Sequence, residues 1–431
     1  MEPFNLNDDG SPQAPRPRPN WVKDRIERYD RKLEPRSRKL KWDAMSRSPF
    51  AFFRGTNHLF WADFARSPLL DEFSGGKKTR LWLSGDAQCG HFGSFTDSSG
   101  RLVYDLDDFS ETVVADYQMD LFRLAASLVL AGRETKRSPR SIQKTAVECG
   151  LGYWREIKAC RWYKNVRYIP WDLEASSGSL RHFLGQTEKQ RGFSQMLERF
   201  TRADKKGLSF KTGKGQELEA LPAPVAKKLQ KTLEDYAKGL KPWPAGKPRV
   251  FEVLDLSRRP HVGISSEGLE RYYALVRVEE DGQDPYRILE AKQQVRPGAW
   301  DELPKKSKRK TSELAGDSQA LRVELGTQAL ARNPDPWLGC LEFQGKEFTV
   351  GERPAIKSTL PGGMLDEVAA GQLGAILARA HCRAKGSFAE NVFEVIKPER
   401  KAFRKGLGVI AQSYADQVEM DFQSFLATRS T

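Results

Sequence analysis

Two acidic segments about 20 residues apart carry the residue types that divalent-metal and phosphate chemistry needs. The first contains Asp86, with His91 five positions further along. The second, residues 104–111, contains three aspartates: Asp105, Asp107 and Asp108. Mg²⁺ prefers carboxylate oxygens, and a separate carboxylate can orient or deprotonate a hydroxyl nucleophile. The structural alternative is that Asp86 caps a turn and that residues 105–108 form a solvated loop.

A loop of small residues with a lysine on a following strand suggests phosphate binding. The loop, residues 263–268, contains Gly263, Ser265, Ser266 and Gly268. A strand-like run follows at 272–278, and Lys292 comes after the next apolar run. Small residues let the backbone approach phosphate oxygens, and the lysine supplies a positive charge, as in protein kinases. An ordinary hairpin turn explains the same pattern.

The apolar pattern predicts the elements that carry these residues. Short apolar runs at 81–84 and 102–106 predict strands, and helical spacing from Leu121 to Ala131 predicts a helix. Further helices are predicted at 141–163, 178–201, 223–239, 313–331, 364–385 and 400–427. Further strands are predicted at 250–254, 272–278 and 286–289, with a hairpin over 341–350. This order indicates an α+β fold with two lobes.

The predicted division of the chain follows changes in composition. The predicted segments are a disordered tail at 1–20, a first helical-lobe part at 21–202, a Lys- and Pro-rich connector at 203–248, a β-rich nucleotide lobe at 249–355 and a second helical-lobe part at 356–431. The basic run 305–310 is predicted to be a flexible solvated linker.

Composition limits the class of protein. Ten Trp and 23 Phe in 431 residues argue against global disorder, and the formal net charge is +14. The chain has no apolar run of membrane-spanning length and no signal-peptide pattern, so we expect a cytoplasmic protein without a membrane partner. Five scattered Cys without a CxxC pair argue against a structural zinc site. The charge permits nucleic acid or phosphorylated ligands.

Several long motifs resemble a single protein family. They occupy residues 48–60, 85–86 with 92–95, 103–112, 120–127, 268–272, 378–383 and 414–417. They resemble the bacterial domain-of-unknown-function family numbered 2252, and the resemblance extends from about residue 30 to 425. That family implies no established activity.

The same motifs are more remotely similar to small-molecule kinases of the aminoglycoside and choline type. Those kinases carry a catalytic loop, then an acidic step, then a helix that begins with Asp-Leu. Here the catalytic-type loop near Asp86 precedes the phosphate loop and Lys292 instead of following them. The resemblance therefore implies a protein-kinase-like fold in circularly permuted order, with the β-rich lobe inserted between two helical-lobe segments. Permutation is tolerated where chain termini lie close together at the surface.

The kinase resemblance implies a role for each matching position. Asp86 accepts the proton of the substrate, and Lys292 neutralises phosphates. The metal-binding positions are Asp107, with Asp105 as the alternative, and His91 in place of an asparagine. The cofactor-binding positions are Gly263, Ser265, Ser266 and Gly268 over the phosphates, and Glu324, with Glu313 as the alternative, as the partner of Lys292.

These roles predict a protein that binds ATP with Mg²⁺ or Mn²⁺ and transfers a phosphoryl or nucleotidyl group to an unknown acceptor. Gln88, His91 and Ser265 depart from the kinase pattern, so a catalytically degraded, pseudokinase-like binding or regulatory module is the first alternative. The second is a basic nucleic-acid-binding protein, but no RNP, helix-turn-helix or zinc-finger motif supports it. A nucleic-acid partner is therefore not expected.

Overall fold

The computed structural model describes residues 17–189, 192–204, 207–242, 249–261, 263–278 and 285–429. Most of the predicted tail at 1–20 lies outside these residues, and the first helix begins at Pro19. The described residues are 54% helical and 17% strand, so the predicted α+β class is confirmed. Among them, no helix is both long enough and apolar enough to span a membrane.

The described helices are numbered in chain order. Helices α1 to α14 are Pro19–Asp30, Pro35–Met45, Pro49–Gly55, Asn57–Phe64, Gln118–Glu134, Pro139–Trp162, Gly178–Glu188, Gly192–Phe200, Ala223–Gly239, Lys305–Ala315, Gln319–Leu330, Glu367–Ala384, Phe388–Ile396 and Arg400–Arg429. Strands β1 to β13 are Arg80–Leu83, Phe92–Thr96, Leu102–Leu106, Val113–Asp116, Thr201–Asp204, Gly207–Phe210, Glu219–Ala220, Phe251–Arg258, Arg271–Val278, Tyr286–Gln293, Gly339–Phe343, Lys346–Glu352 and Lys357–Ser358.

A six-stranded antiparallel sheet forms the β-rich part of the molecule. Its strand order is β11-β12-β10-β9-β8-β7. Leu229, Leu233 and Tyr236 of α9 pack into the same apolar cluster as residues of the sheet. Helix α9 and strand β7 both come from the predicted connector, and β7 pairs with β8, so these two elements belong to the β-rich unit.

Both ends of the chain contribute to the helical part. Helices α6 and α12 approach closely because glycines face each other: a Cβ on Gly152 would lie 1.9 Å from the carbonyl oxygen of Gly371. Arg18, just before α1, pairs at 2.6 Å with Asp63 on α4 and at 2.6 Å with Asp421 on α14. This buried network fixes the start of the described chain to its last helix.

The basic run at 305–310 is not a linker but the beginning of α10. Its lysines lie on the side opposite a buried face, and Thr311 on that face accepts a hydrogen bond from the Val114 N–H at 3.0 Å. The predicted helix at 313–331 is also two helices. Gly316, with φ of 60°, ends α10, and the Ser318 side chain caps α11. Similarly, the prediction at 178–201 is divided between α7 and α8.

Candidate active site

The loop that follows β1 holds Asp86 in a fixed backbone geometry. Gly85 has φ of 78°, and a Cβ there would lie 2.0 Å from the carbonyl oxygen of Glu111, so only glycine fits. The carboxylate of Asp120 on α5 accepts the backbone N–H groups of Ser84 at 2.8 Å and Gly85 at 3.0 Å. His381 on α12 lies 3.3 Å from the same carboxylate. The loop is thus fixed to two helices.

Asp86 forms a buried ion pair and keeps one oxygen without a partner. The Arg123 Nε donates to Asp86 Oδ1 at 2.6 Å, and Arg123 also donates to the Phe53 carbonyl oxygen at 2.9 Å. Asp86 is 2% exposed, and Oδ2 accepts no hydrogen bond from any described residue. A buried carboxylate oxygen without a donor is costly, so its position beside a cavity indicates a ligand or water site.

His91 lies five residues after Asp86 and contacts it directly. Its Nδ1 is 2.8 Å from the Asp86 carbonyl oxygen and 3.6 Å from Oδ2. A carbonyl oxygen only accepts, so Nδ1 must carry the proton. In the neutral imidazole, Nε2 then has a free lone pair that can bind a metal or accept a proton.

Several sequence-predicted residues meet around one small cavity of about 30 Å³. The predicted residues that line it are Asp86, His91, Ser265, Ser266 and Lys292. Residues that the sequence analysis did not assign to the site also line it, among them Tyr29, Asp108, Ser110 and Glu111. Lys292 reaches this point from the end of β10, and the serines come from the loop between β8 and β9.

Asp108, not Asp107 or Asp105, is the aspartate of the second acidic segment that lines this cavity. Its Oδ2 lies 3.3 Å from the Lys292 Nζ, and Ser110 Oγ accepts from the same ammonium at 2.5 Å. Burial alone would favour the neutral carboxyl, but the positive charge of Lys292 outweighs it and holds the pKa of Asp108 well below its usual range. Asp108 is therefore ionised at neutral pH.

The two aspartates chosen from the sequence face another part of the molecule. Asp107 pairs with Lys357 at 3.3 Å, and Asp105 pairs with Arg383 at 2.9 Å. Asp105 lies in β3, whereas Asp107 and Asp108 lie in the loop after the strand, where Asp107 pairs with Lys357 and Asp108 lines the small cavity. The signal that could have identified Asp108 is the Asp-Phe pair at 108–109, which begins two residues after the end of β3, as in the Asp-Phe-Gly step of kinases.

The predicted partnership between Lys292 and Glu324 is not formed, because Lys292 pairs with Asp108 instead. Glu324 on α11 accepts a hydrogen bond from the Cys340 Sγ at 2.9 Å. Glu313, the alternative, pairs with neighbouring basic residues of α10. The side chain of α11 that points toward the site is Arg322, which donates to the carbonyl oxygens of Thr112 at 2.6 Å and of Ser110 at 3.0 Å.

The small-residue loop between β8 and β9 turns through glycines at both ends. Gly263 has φ of 82° and Gly268 has φ of 83°, a backbone region that other residues rarely adopt. A Cβ on Gly268 would lie 2.9 Å from the Leu33 side chain, so the loop packs against the α1–α2 turn. Neither glycine lines the cavity; only the two serines between them do.

Glu111 adds a third carboxyl group to the cavity wall. Its Oε2 accepts the backbone N–H of Gly298 at 2.6 Å and the Asn57 Nδ2 at 3.1 Å. Burial and the nearby charge of Asp86 raise the pKa of Glu111. Glu111 and Arg123 lie within the family motifs at 103–112 and 120–127. The sequence does not reveal which side chains these two residues pair with, so neither was predicted as a site residue.

A larger cavity of about 730 Å³ lies on the other side of the second acidic segment. Asp107, Glu290 and Lys357 line it, and the aromatic side chains in its wall include Phe95, Phe109, Phe193 and Trp337. Burial opposes ionisation of Glu290, but Arg271 at 2.8 Å and Lys292 lower its pKa to about 2. Cavities of 300–1,000 Å³ are typical of small-molecule sites.

The described residues contain no group of three or more His, Cys, Asp or Glu side chains placed to hold a metal ion. Four side chains of these types do line the small cavity: Asp86, His91, Asp108 and Glu111. Mg²⁺ commonly takes only one or two protein carboxylates and completes its coordination with substrate phosphates and water. The donor set thus fits a metal that arrives with a phosphate ligand.

Comparison with known proteins gives one match. The model of the family described as "Uncharacterized protein conserved in bacteria (DUF2252)" matches residues 33–428. No curated protein matches the chain, and no solved structure does. Because the match covers nearly all of the sequence, this chain belongs to the DUF2252 family of bacterial proteins.

Proposed function

We propose that this protein is a kinase-like phosphotransferase with a circularly permuted fold, which binds a nucleoside triphosphate and a divalent metal. The observation that supports the proposal is the grouping of Asp86, His91, Asp108 and Lys292 around one cavity. Lys292 lies 184 positions from Asp108, so the fold rather than chain proximity brings them together. An acidic catalytic loop, an Asp-Phe step and a strand lysine are the parts that kinases use.

Asp86 is the residue proposed to accept the proton of the acceptor group. Its Oδ2 is buried, lines the cavity and has no donor among the described residues. Its Oδ1 is held by Arg123, which fixes the direction of the free oxygen. A fixed carboxylate within hydrogen-bond reach of an alcohol or amine can orient it for attack on a phosphorus atom.

Asp108 and His91 are the side chains that would hold the divalent metal, with phosphate oxygens as further ligands. The metal would supply positive charge that neutralises the transferring phosphoryl group. Lys292 would exchange its contacts with Asp108 and Ser110 for phosphate oxygens. Ser265 and Ser266 belong to the loop that would cover those phosphates.

The nucleoside part of the ligand is proposed to occupy the larger cavity. The small cavity, at about 30 Å³, has room for little more than one water molecule and cannot contain a nucleotide. The larger one, at about 730 Å³, has the required size and aromatic walls. Asp107 and Asp108 are adjacent in the chain but line different cavities. A nucleotide that passes over residues 107–108 would therefore occupy both cavities.

A pseudokinase-like binding module is the second candidate, because His91 stands where a kinase uses an oxygen ligand for its second metal. Imidazole suits Zn²⁺ or Fe²⁺ better than Mg²⁺. Such a module would bind nucleotide without turnover.

The experiment that tests the proposal combines thermal shift with a turnover assay. ATP and GTP are each added with Mg²⁺ or Mn²⁺; a ligand at 100 times its dissociation constant adds about 2.7 kcal/mol of stability. Turnover is followed with γ-³²P-labelled nucleotide. We expect Asp86→Asn to keep the shift and lose turnover, and Asp108→Asn to lose the metal-dependent part of the shift.

Asp107→Asn is the matched control for Asp108→Asn. It removes the carboxylate of the adjacent residue, which lines the larger cavity and not the small one. Its metal-dependent shift should remain. A shift without turnover in the wild type would select the binding module. No shift with either nucleotide would refute both candidates.

A further inference from the structure

The most exposed aromatic side chains of the described residues lie together, far along the chain from the proposed active-site residues. Trp162 is 69% exposed, Tyr163 is 72% and Tyr168 is 53%. Among the described residues, Tyr29 is the only other large aromatic side chain that is exposed, at 37%. The three rings belong to the end of α6 and the 3₁₀ turn Lys164–Tyr168 that follows it. We call them the aromatic patch.

The turn that carries the aromatic patch is held firmly to the helical part. The Arg167 Nη1 donates to the Cys382 carbonyl oxygen at 2.8 Å, and the Arg383 Nη1 donates to the Arg167 carbonyl oxygen at 3.0 Å. Within the turn, the Val166 N–H bonds to the Tyr163 carbonyl oxygen at 2.9 Å. Rings displayed on a fixed turn lose little conformational entropy when a partner binds, which favours affinity.

Positive charge surrounds the aromatic patch. Arg155 and Lys158 precede Trp162 by seven and four positions, so all three lie on one exposed face of α6, and Lys164 is exposed on the turn. These three cations form no ion pair with any described residue. Two nearby acids are already paired, since Glu394 pairs with Arg161 at 3.1 Å and Glu156 pairs with Arg379 at 2.7 Å. The surface is therefore left with a net positive charge.

We propose that the aromatic patch with Arg155, Lys158 and Lys164 binds single-stranded nucleic acid. Sequence-tolerant recognition of single strands combines exposed aromatic faces, on which bases stack, with cations that follow the phosphate backbone. The formal net charge of +14 adds long-range attraction for a polyanion. This site goes beyond the proposed phosphotransferase activity and uses none of its residues.

An anionic lipid surface is the main competing partner, and the structure favours it less. A helix that lies on a membrane needs a long free apolar face. The apolar face of α6 is buried instead, through Ala146, Cys149, Tyr153 and Ile157, in the core of the helical part. The exposed side chains at the end of α6 and on the turn are aromatic, cationic or polar, apart from Ile169 at 48% exposure.

The test is fluorescence anisotropy of a labelled 20-nucleotide oligothymidine with the full-length protein, over a range of salt concentrations. We expect binding that weakens linearly on a log–log plot with salt. Trp162→Ala/Tyr168→Ala should raise Kd by about 5- to 150-fold per lost stacking contact. Lys158→Ala/Lys164→Ala should instead reduce the salt slope by roughly 1.4, or about 0.7 for each lost cation.

Lys305→Ala/Lys308→Ala on α10 is the matched control, because it removes the same charge from a helix that contains no aromatic residue. It should leave the aromatic-dependent affinity intact. Circular dichroism checks that each variant is folded. The proposal is overturned if no binding occurs at low salt, if the Trp162/Tyr168 variant binds like the wild type, or if the α10 control weakens binding as much. Binding to phosphatidylglycerol vesicles but not to the oligonucleotide would also overturn it.

Discussion

Arg123 provides the sharpest test of how the Asp86 loop is held. Its guanidinium is 1% exposed, pairs with Asp86 at 2.6 Å and stacks 3.7 Å from the Phe53 ring. Arg123→Met keeps much of the side-chain volume but leaves the Asp86 carboxylate buried and uncompensated. Breaking a buried pair in this way costs about 3–5 kcal/mol. We expect the free energy of unfolding of this variant to fall by that amount.

The double variant Asp86→Asn/Arg123→Met separates the charge effect from simple loss of packing. Without the carboxylate, the remaining cost is the lost hydrogen bond to the Phe53 carbonyl oxygen, about 1 kcal/mol, and small repacking. The double variant should therefore be more stable than Arg123→Met alone by at least about 2 kcal/mol. This ordering is unusual, since a second substitution normally destabilises further.

Urea unfolding measured by circular dichroism gives these free energies by linear extrapolation, with the m value checked for each variant. Arg133→Met is the control on the same helix: its pairs with Asp416 and Glu419 are partly exposed, and their loss should cost less than about 1 kcal/mol. The reasoning fails if Arg123→Met costs no more than this control. It also fails if the effects of Asp86→Asn and Arg123→Met simply add.

Three further outcomes follow from the structure. Gly85→Ala should lower the free energy of unfolding in urea more than Gly100→Ala does. Both glycines have φ of 78°, which costs alanine about 1–2 kcal/mol. Only at Gly85 would the added Cβ also clash with backbone, which costs about 1–3 kcal/mol more. Equal losses would contradict the clash. Glu290 has a folded-state pKa of about 2, below its ordinary value, so it stabilises the fold above about pH 4 and this stability is lost as pH falls toward 2. The stability advantage of the wild type over Glu290→Gln should shrink by on the order of 2–3 kcal/mol between pH 6 and pH 2, and a constant difference would show that the pKa is not depressed. Arg18→Met leaves two buried carboxylates without their cation and should cost about 3–5 kcal/mol in a urea melt, whereas the exposed-pair variant Lys39→Met should cost less than about 1 kcal/mol.

Much of the local structure follows from patterns that the chain carries in short stretches. The helix predicted at 223–239 has the bounds of α9, and the hairpin predicted over 341–350 turns through Gln344 and Gly345, both with positive φ. Apolar periodicity suffices here because each element buries one face. The prediction of a flexible linker at 305–310 was wrong because only a narrow face of α10 is buried, and that face includes the small polar residues Ser307 and Thr311. Small polar residues on a helix face give no apolar signal.

The candidate site was only partly accessible from the sequence. Asp86 and Lys292 were proposed from residue types and spacing and His91 from the kinase resemblance, and all three line one cavity. Choosing among the aspartates of the second acidic segment required the direction of each side chain at the end of β3. Spacing along the chain does not supply that direction, so Asp107 was chosen where Asp108 lines the cavity.

The sequence by itself determined the residue types available for phosphate chemistry, the α+β class and the bounds of some elements, such as α9 and α14, because these depend on local spacing and apolar periodicity. The tertiary structure alone decided which charges meet. Arg123 neutralises Asp86 across 37 positions, and Lys292 pairs with Asp108 across 184. Such pairings depend on how helices and sheet pack in three dimensions, and a single sequence contains no record of those distances.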